Sequence, residues 1–98
     1  MAKSINPADL GFFSTLASSG SLGSAARELG ITTAAVSKRL AQIEERLGIS
    51  LVNRTTRRMS LTPEGEVYLE HARKILSEIE DMEHILWGST QTPKGLLR

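Results

Sequence analysis

The segment from Ser21 to Leu47 constrains the fold more than any other part of the 98-residue chain, because it carries the pattern of two helices separated by a tight break. Apolar residues recur at helical spacing on both sides of Gly30, a residue that can adopt the positive φ with which many helices end. Ser21 and Thr32 are placed to cap the N-termini of the two helices. The segment therefore predicts two consecutive helices joined by a short turn.

The second of these helices has an apolar face and a face of small, hydroxylated and basic residues. At about 100° per residue, Ala34, Ser37 and Ala41 turn away from the apolar stripe, and Lys38 lies beside them. Short side chains allow a helix to sit deeply enough in the major groove of DNA for contacts with base edges. The alternative is a solvated outer face, which is the more common fate of a charged helix. The short, alanine-rich helix that precedes it favours groove reading.

The composition argues against several other classes of protein. No apolar run approaches the ~20 residues of a membrane span, and there is no cysteine for a disulfide or a thiolate metal site. His71 and His84 stand thirteen positions apart, a spacing that suits no metal site on one helix face. The sequence also lacks a nucleophile pattern and a glycine-rich phosphate loop. We therefore expect no catalytic residues, no metal, no membrane association and a cytoplasmic location.

Charge is distributed unevenly, although the net charge is only +1. Residues 1–62 hold eight basic and four acidic side chains, whereas residues 63–98 hold four basic and seven acidic ones. Such asymmetry is expected of a protein with one end that faces DNA and another that faces protein.

A further helix precedes the central unit. Asn6 can cap it, Pro7 is tolerated at its first position, and Asp9 suits the positive end of its dipole. We expect this helix to end near Ser18. Its buried stripe consists of Leu10, Phe13, Leu16 and Ala17. Phe12 lies off that stripe, and we expect it to be partly exposed or in contact with a neighbouring chain.

Residues 49–61 predict a small β-ribbon, or wing, with its tip near residues 55–57. Arg54, Arg57 and Arg58 are suited to phosphate contacts or to insertion into a minor groove. The alternative is a charged edge strand that prevents aggregation. Beside a groove-reading helix, contact with DNA is the favoured interpretation.

A long final helix follows, capped by Thr62 and running to about Trp87, with Gly88 as its stop. Six of its apolar residues are spaced 4, 3, 4, 3 and 4 positions apart, the pattern of a helix-pairing seam: Tyr68, Ala72, Ile75, Ile79, Met82 and Leu86. One small domain cannot cover so long a seam, so a second copy of the chain is the expected partner. In the alternative, the helix folds back onto its own domain, which its length disfavours except over the first two turns.

The whole pattern resembles the N-terminal winged helix-turn-helix of LysR-type transcriptional regulators. The resemblance is carried, in chain order, by Phe13, Ser21, Ala25-Ala26, Leu29, Ala35-Val36-Ser37, Ile43-Glu44, Leu47-Gly48, Leu51, Arg54, Leu61-Thr62 and Gly65. The chain departs from the family at Thr33-Ala34, where Gln-Pro or Ser-Pro is frequent, and at Val52, where Phe is frequent. The resemblance implies a mainly α fold with three parts. Residues 1–62 would form three helices and a two-stranded wing, residues 63–88 a linker and dimerisation helix, and residues 89–98 a linker to an effector-binding domain.

The resemblance also implies a function, namely sequence-specific binding of double-stranded DNA by a homodimer on an inverted-repeat operator, without enzymatic activity. The positions that would meet base edges are Thr33, Ala34, Ser37 and Lys38. Those that would meet the backbone or a minor groove are Ser21, Thr32, Arg39, Arg54, Arg57 and Arg58. No cofactor is expected in this chain, because a small-molecule effector would bind the following domain, and the full-length protein could form higher oligomers. The alternative is a protein-interaction module, in which the winged part is a passive scaffold and the long helix pairs with another protein.

Overall fold

The computed structural model describes residues 3–53 and 59–88, which form four helices and one antiparallel two-stranded ribbon. The helices are α1 (Pro7–Ser19), α2 (Leu22–Leu29), α3 (Thr33–Leu47) and α4 (Pro63–Trp87), and the strands are β1 (Val52–Asn53) and β2 (Ser60–Leu61). This confirms the predicted mainly α, winged helix-turn-helix fold. The tip of the wing, with its three arginines, and the linker over residues 89–98 lie outside the described residues.

Each helix begins where the sequence supplies an N-terminal cap. The side-chain oxygens of Asn6, Ser21, Thr32 and Thr62 each accept a hydrogen bond from a backbone N–H in the first turn, at 2.9–3.1 Å. Gly30 ends α2 at φ 72°, a conformation that other residues seldom adopt. These local signals explain why the predicted elements are found, with α1 one residue longer than expected.

The core lies where the apolar stripes of α1, α2 and α3 meet. Its largest fully buried side chains are Phe13, Leu16, Val36, Leu40, Ile43 and Leu51. The expectation that Phe12 is partly exposed or touches a neighbouring chain is wrong, because only 4% of its surface is accessible. The Arg39 guanidinium lies over its ring, 4.6 Å from the centroid, so that α3 supplies the cover that the stripe analysis did not foresee.

The ribbon is attached to the start of α4 at several points. Val52 pairs with Leu61 and Asn53 with Ser60. The Thr62 hydroxyl donates to the Ser50 carbonyl oxygen at 2.7 Å, and the Thr62 N–H donates to the Leu51 carbonyl oxygen at 3.0 Å. These bonds hold α4 against the ribbon at its first turn.

The first part of α4 packs on its own domain and the rest is exposed. The Tyr68 ring meets Phe13 edge-on, with centroids 5.0 Å apart, and Ala72 is completely buried. The assignment of Ala72 to a seam between two chains is therefore wrong, and Tyr68 belongs mainly to the internal core. Folding back extends about one turn further than the two turns expected, because α4 lies along α1. Ile75, Ile79, Met82 and Leu86 are exposed.

We expect Gly65→Ala to destabilise the domain strongly, because a Cβ at this position would overlap with the Leu51 backbone carbonyl oxygen. Neither backbone segment can move without breaking the bonds made by Thr62, so a loss of about 2–3 kcal/mol is expected in urea unfolding. Gly11→Ala is the matched control, since a Cβ there meets nothing within 4 Å inside α1. It should raise stability by about 0.5–1 kcal/mol. Equal effects of the two substitutions would contradict the tight contact.

Candidate nucleic-acid interface

The outer face of α3 places the predicted base-reading residues on one accessible surface. Thr33, Ala34 and Lys38 are exposed and Ser37 is half-buried. The structure describes no hydrogen bond or ion pair of Lys38 with any residue in 3–53 or 59–88. Its ammonium group is thus available to an external acceptor, while the small neighbouring side chains leave the helix backbone approachable.

The two capping hydroxyls lie at the N-terminal ends of the helix pair. Ser21 Oγ accepts from the Ser24 N–H at 3.1 Å, and Thr32 Oγ1 accepts from the Ala35 N–H at 3.0 Å. Each cap uses an oxygen lone pair, so that the hydroxyl hydrogen can still be donated to a phosphate. Helix N-termini also carry partial positive charge, which suits an anionic partner.

Arg39 has a different environment from Lys38. Its Nη2 donates to the Ala8 carbonyl oxygen at 3.1 Å and to Asp9 Oδ1 at 3.3 Å, while its plane covers the Phe12 ring. Arg46 Nη1 donates to Asp9 Oδ2 at 2.6 Å. The Asp9 carboxylate thus joins α1 to two points on the same flank of α3, about two turns apart. Arg39, which the sequence assigned to the DNA backbone, is engaged within the domain.

A groove of about 360 Å³ lies between the first turn of α1 and α3. Lys38, Gln42 and the Asp9–Arg46 pair line it. Gln42, which was not among the predicted site residues, is exposed one turn after Lys38. The signal was present, because i and i+4 share a helix face and a glutamine amide can pair with the edge of adenine.

Glu44 connects α3 to the ribbon. Its Oε2 accepts from the Leu51 N–H at 2.7 Å and from the Val52 N–H at 3.2 Å. A carboxylate that accepts two backbone N–H groups fixes where the ribbon starts relative to the helix. Apart from its place in the family resemblance, nothing in the sequence marks Glu44, since no local pattern reveals a bond across seven residues.

Tyr68 of α4 lies close enough to Asp9, Arg39 and Arg46 to be affected by their charges. Burial raises the pKa of its hydroxyl, and the negative charge of Asp9 raises it further, while Arg46 and Arg39 act in the opposite direction. The hydroxyl therefore stays neutral at physiological pH and adds no charge to the interface.

Across the described residues, 3–53 and 59–88, no group of three histidine or acidic side chains is arranged to hold a metal ion. No helix in that part of the chain is long and apolar enough to cross a membrane.

A family model described as "Bacterial regulatory helix-turn-helix protein, lysR family" matches residues 7–66, which include all of α1, α2, α3 and the ribbon. The chain belongs to the lysR family. This confirms the resemblance carried by the sequence motifs, and the family consists of regulatory proteins rather than enzymes. The Val52 side chain is buried, so a change of side-chain size at this position alters the volume of the core.

Several lysR relatives cover nearly all of this chain. It is 40% identical over 93 residues to the HTH-type transcriptional regulator CrgA of Neisseria meningitidis, covering 95% of this chain and 31% of CrgA. It is 41% identical over 90 residues to the HTH-type transcriptional regulator DmlR of Escherichia coli, covering 92% of this chain and 29% of DmlR. The chain thus spans about a third of the length of these curated relatives.

Solved structures of similar proteins include DNA complexes. The BenM DBD bound to catB site 1 DNA has a TM-score of 0.77 at 30% identity, with 90% of each chain covered. The CbnR DBD–DNA complex has a TM-score of 0.71 at 28% identity, covering 80% of this chain and 90% of that one.

We expect Glu44→Ala to destabilise this lysR-family domain by about 1.5–3 kcal/mol, because two backbone N–H groups lose a charged acceptor. Glu45→Ala is the matched control. Glu45 is the next residue of α3, is exposed, and makes no hydrogen bond or ion pair that the structure describes, so its removal should change stability by less than about 0.5 kcal/mol. Urea unfolding measures both. Indistinguishable midpoints for the two variants would rule out the proposed role of Glu44.

Proposed function

We propose that this chain is the DNA-binding part of a transcriptional regulator, and that α3 reads sequence in the major groove of double-stranded DNA. The observation that carries the proposal is the outer face of α3, where Lys38 has no described partner and the small side chains of Ala34, Ser37 and Ala41 share the face. Membership of the lysR family supports it. The similarity to the BenM and CbnR DBDs, which were solved with DNA, supports it as well.

The chemistry of the face suits base edges. Lys38 can donate to guanine O6 and N7, and Ser37 can donate or accept. The methyl groups of Thr33 and Ala34 can pack on thymine. We add Gln42, whose amide can pair with adenine, because it lines the same groove as Lys38.

Contacts with the backbone would come from the ends of this surface. Ser21 and Thr32 present hydroxyl groups at helix N-termini. The arginines of the wing, Arg54, Arg57 and Arg58, retain their predicted role at phosphates or in a minor groove. Arg39 is not included in this proposal, since Asp9 and the Ala8 carbonyl hold its guanidinium.

The chain would act as a homodimer through the exposed part of α4. Ile75, Ile79, Met82 and Leu86 follow one another at spacings of 4, 3 and 4, and all of them are accessible. Such a stripe on one helix is covered well by a second, identical stripe. A two-fold dimer would bind an inverted repeat, with half-sites one or more helical turns apart.

Two further parts of the proposal concern the whole protein. A small-molecule effector would bind a separate domain, as the family resemblance implies. The regulator would act in the bacterial cytoplasm, where the chromosome lies.

The proposal is tested by repeated selection of the purified chain against a pool of random duplex DNA. We expect enrichment of an inverted-repeat motif, and retardation of that duplex in a mobility-shift assay that unrelated duplex does not compete away. Failure of any motif to emerge, with no shift even in low salt, would reject DNA reading and favour the protein-interaction alternative.

We expect Lys38→Ala to weaken binding to the selected duplex by about 1–3 kcal/mol and to relax preference at one base position. Lys74→Ala is the matched control, because Lys74 is an exposed lysine on α4 whose described ion pair is with Glu70 on the same helix. It should leave both affinity and preference unchanged. Selection repeated with each variant measures the effect, and an unaltered motif for Lys38→Ala would remove this residue from the base-reading set.

We expect Ile79→Lys to shift the chain from dimer to monomer in sedimentation equilibrium, because it places an ammonium group within the proposed seam. Glu80→Lys introduces the same side chain one position along α4, on a different helix face, and should leave the dimer intact. Circular dichroism checks that both variants keep their helices. A dimer of unchanged stability in Ile79→Lys would show that α4 does not form the interface.

A further inference from the structure

The flank of α3 beside Lys38 carries two arginines whose charge is held by one carboxylate. Arg39 and Arg46 lie seven residues apart, on the side of the helix that faces α1. The Asp9 side chain is 6% exposed, whereas those of Arg39 and Arg46 are 41% and 35% exposed. The cations are therefore close to the solvent and to the groove, while the anion that binds them is buried.

The two arginines are held to different degrees. Arg39 bonds to the Ala8 carbonyl and to Asp9, and it also packs on Phe12, so several contacts fix its position. Arg46 has one described bond, that to Asp9 Oδ2. Loss of the Asp9 charge would thus release Arg46 more readily than Arg39, which keeps its other contacts.

A free arginine at this position would reach a strongly anionic surface when α3 occupies a groove. Contacts with phosphate raise affinity for all sequences alike, because the backbone carries no direct sequence information. Each additional cation on this flank would therefore strengthen binding to unrelated DNA and reduce discrimination.

We propose that Asp9 is a specificity-determining residue, which withholds the Arg46 guanidinium from DNA phosphates by holding it against α1. This inference rests on the proposed function and assigns to α1 a part in sequence discrimination. Asp9 acts through Arg46 and is a positioning residue, since it does not itself meet DNA. Its carboxylate lies in the first turn of α1, at the positive end of the helix dipole.

The test compares the salt dependence of binding for wild type and Asp9→Asn, using a random-sequence duplex and the duplex selected on wild type. Asparagine has nearly the same shape but lacks the charge. One new phosphate contact steepens the slope of log K against log salt by about 0.9 per chain. Between 50 and 200 mM salt, that contact enlarges the loss of affinity by about 3.5-fold. We expect tighter binding of the random duplex in low salt and a smaller ratio of specific to non-specific affinity.

Two further variants separate this effect from a general gain of positive charge. Glu80→Gln makes the same change in net charge on the exposed part of α4, away from the proposed seam, and should leave the slope unaltered. The double variant Asp9→Asn/Arg46→Gln should return the slope to the wild-type value, because the released cation is gone. A steep slope that persists in the double variant would overturn the role of Arg46.

Arg46→Gln in the wild-type background keeps the inference testable even where Asp9→Asn fails to fold. A withheld arginine contributes no phosphate contact, so this variant should bind the random duplex with an unchanged slope. A slope reduced by about 0.9 would show that Arg46 already meets phosphate and would overturn the proposal.

Weaker binding of both duplexes by folded Asp9→Asn, at an unchanged slope, would show that Asp9 has a purely structural role and would overturn the proposal. If wild type itself binds neither duplex, the proposed function fails; an unchanged Asp9→Asn beside a DNA-binding wild type rejects this inference alone.

Discussion

Burial of the apolar stripe of α3 is the interaction on which the rest of the structure depends. Val36, Leu40 and Ile43 are almost fully enclosed, and the accessible surface of the helix is therefore fixed in direction. Deleting a single buried aliphatic side chain of this kind typically costs a few kcal/mol, a large share of the stability of a small domain. The face with Lys38 is thus presented by the core itself, and no loop movement is needed to expose it.

Polar contacts then set the position of α3 relative to its neighbours on both sides. Asp9 of α1 binds one flank of the helix, and Glu44 on the other flank binds the backbone where the ribbon begins. Both carboxylates are paired with donors outside their own helix, so each contributes geometric definition that an apolar contact would not give. In this lysR-family domain the packing supplies most of the stability, and Asp9 and Glu44 fix the position of α3 relative to α1 and to the ribbon.

The helices and the ribbon could be predicted from the sequence because their signals are local. Caps at Ser21, Thr32 and Thr62 precede apolar periodicity, and these residues decide the helix boundaries independently of the rest of the chain. What the sequence did not reveal depends on tertiary contacts. Phe12 is buried because Arg39 covers it, and Ala72 is buried because α4 follows α1 for longer than the repeat of the seam suggests.

The candidate site likewise contains residues that local patterns predict and residues whose surroundings depend on tertiary contacts. The exposure of Lys38 followed from periodicity, whereas the engagement of Arg39 required a partner thirty positions away.

The contact between Gly65 and the Leu51 carbonyl has a mechanical consequence. With no free space between the first turn of α4 and the residue that precedes β1, these two segments cannot slide past each other. The bonds of Glu44 continue this stiff connection into α3. A rotation of the far end of α4 is therefore transmitted to the ribbon and to α3 together. These parts of the domain move as one rigid body and do not bend about a hinge.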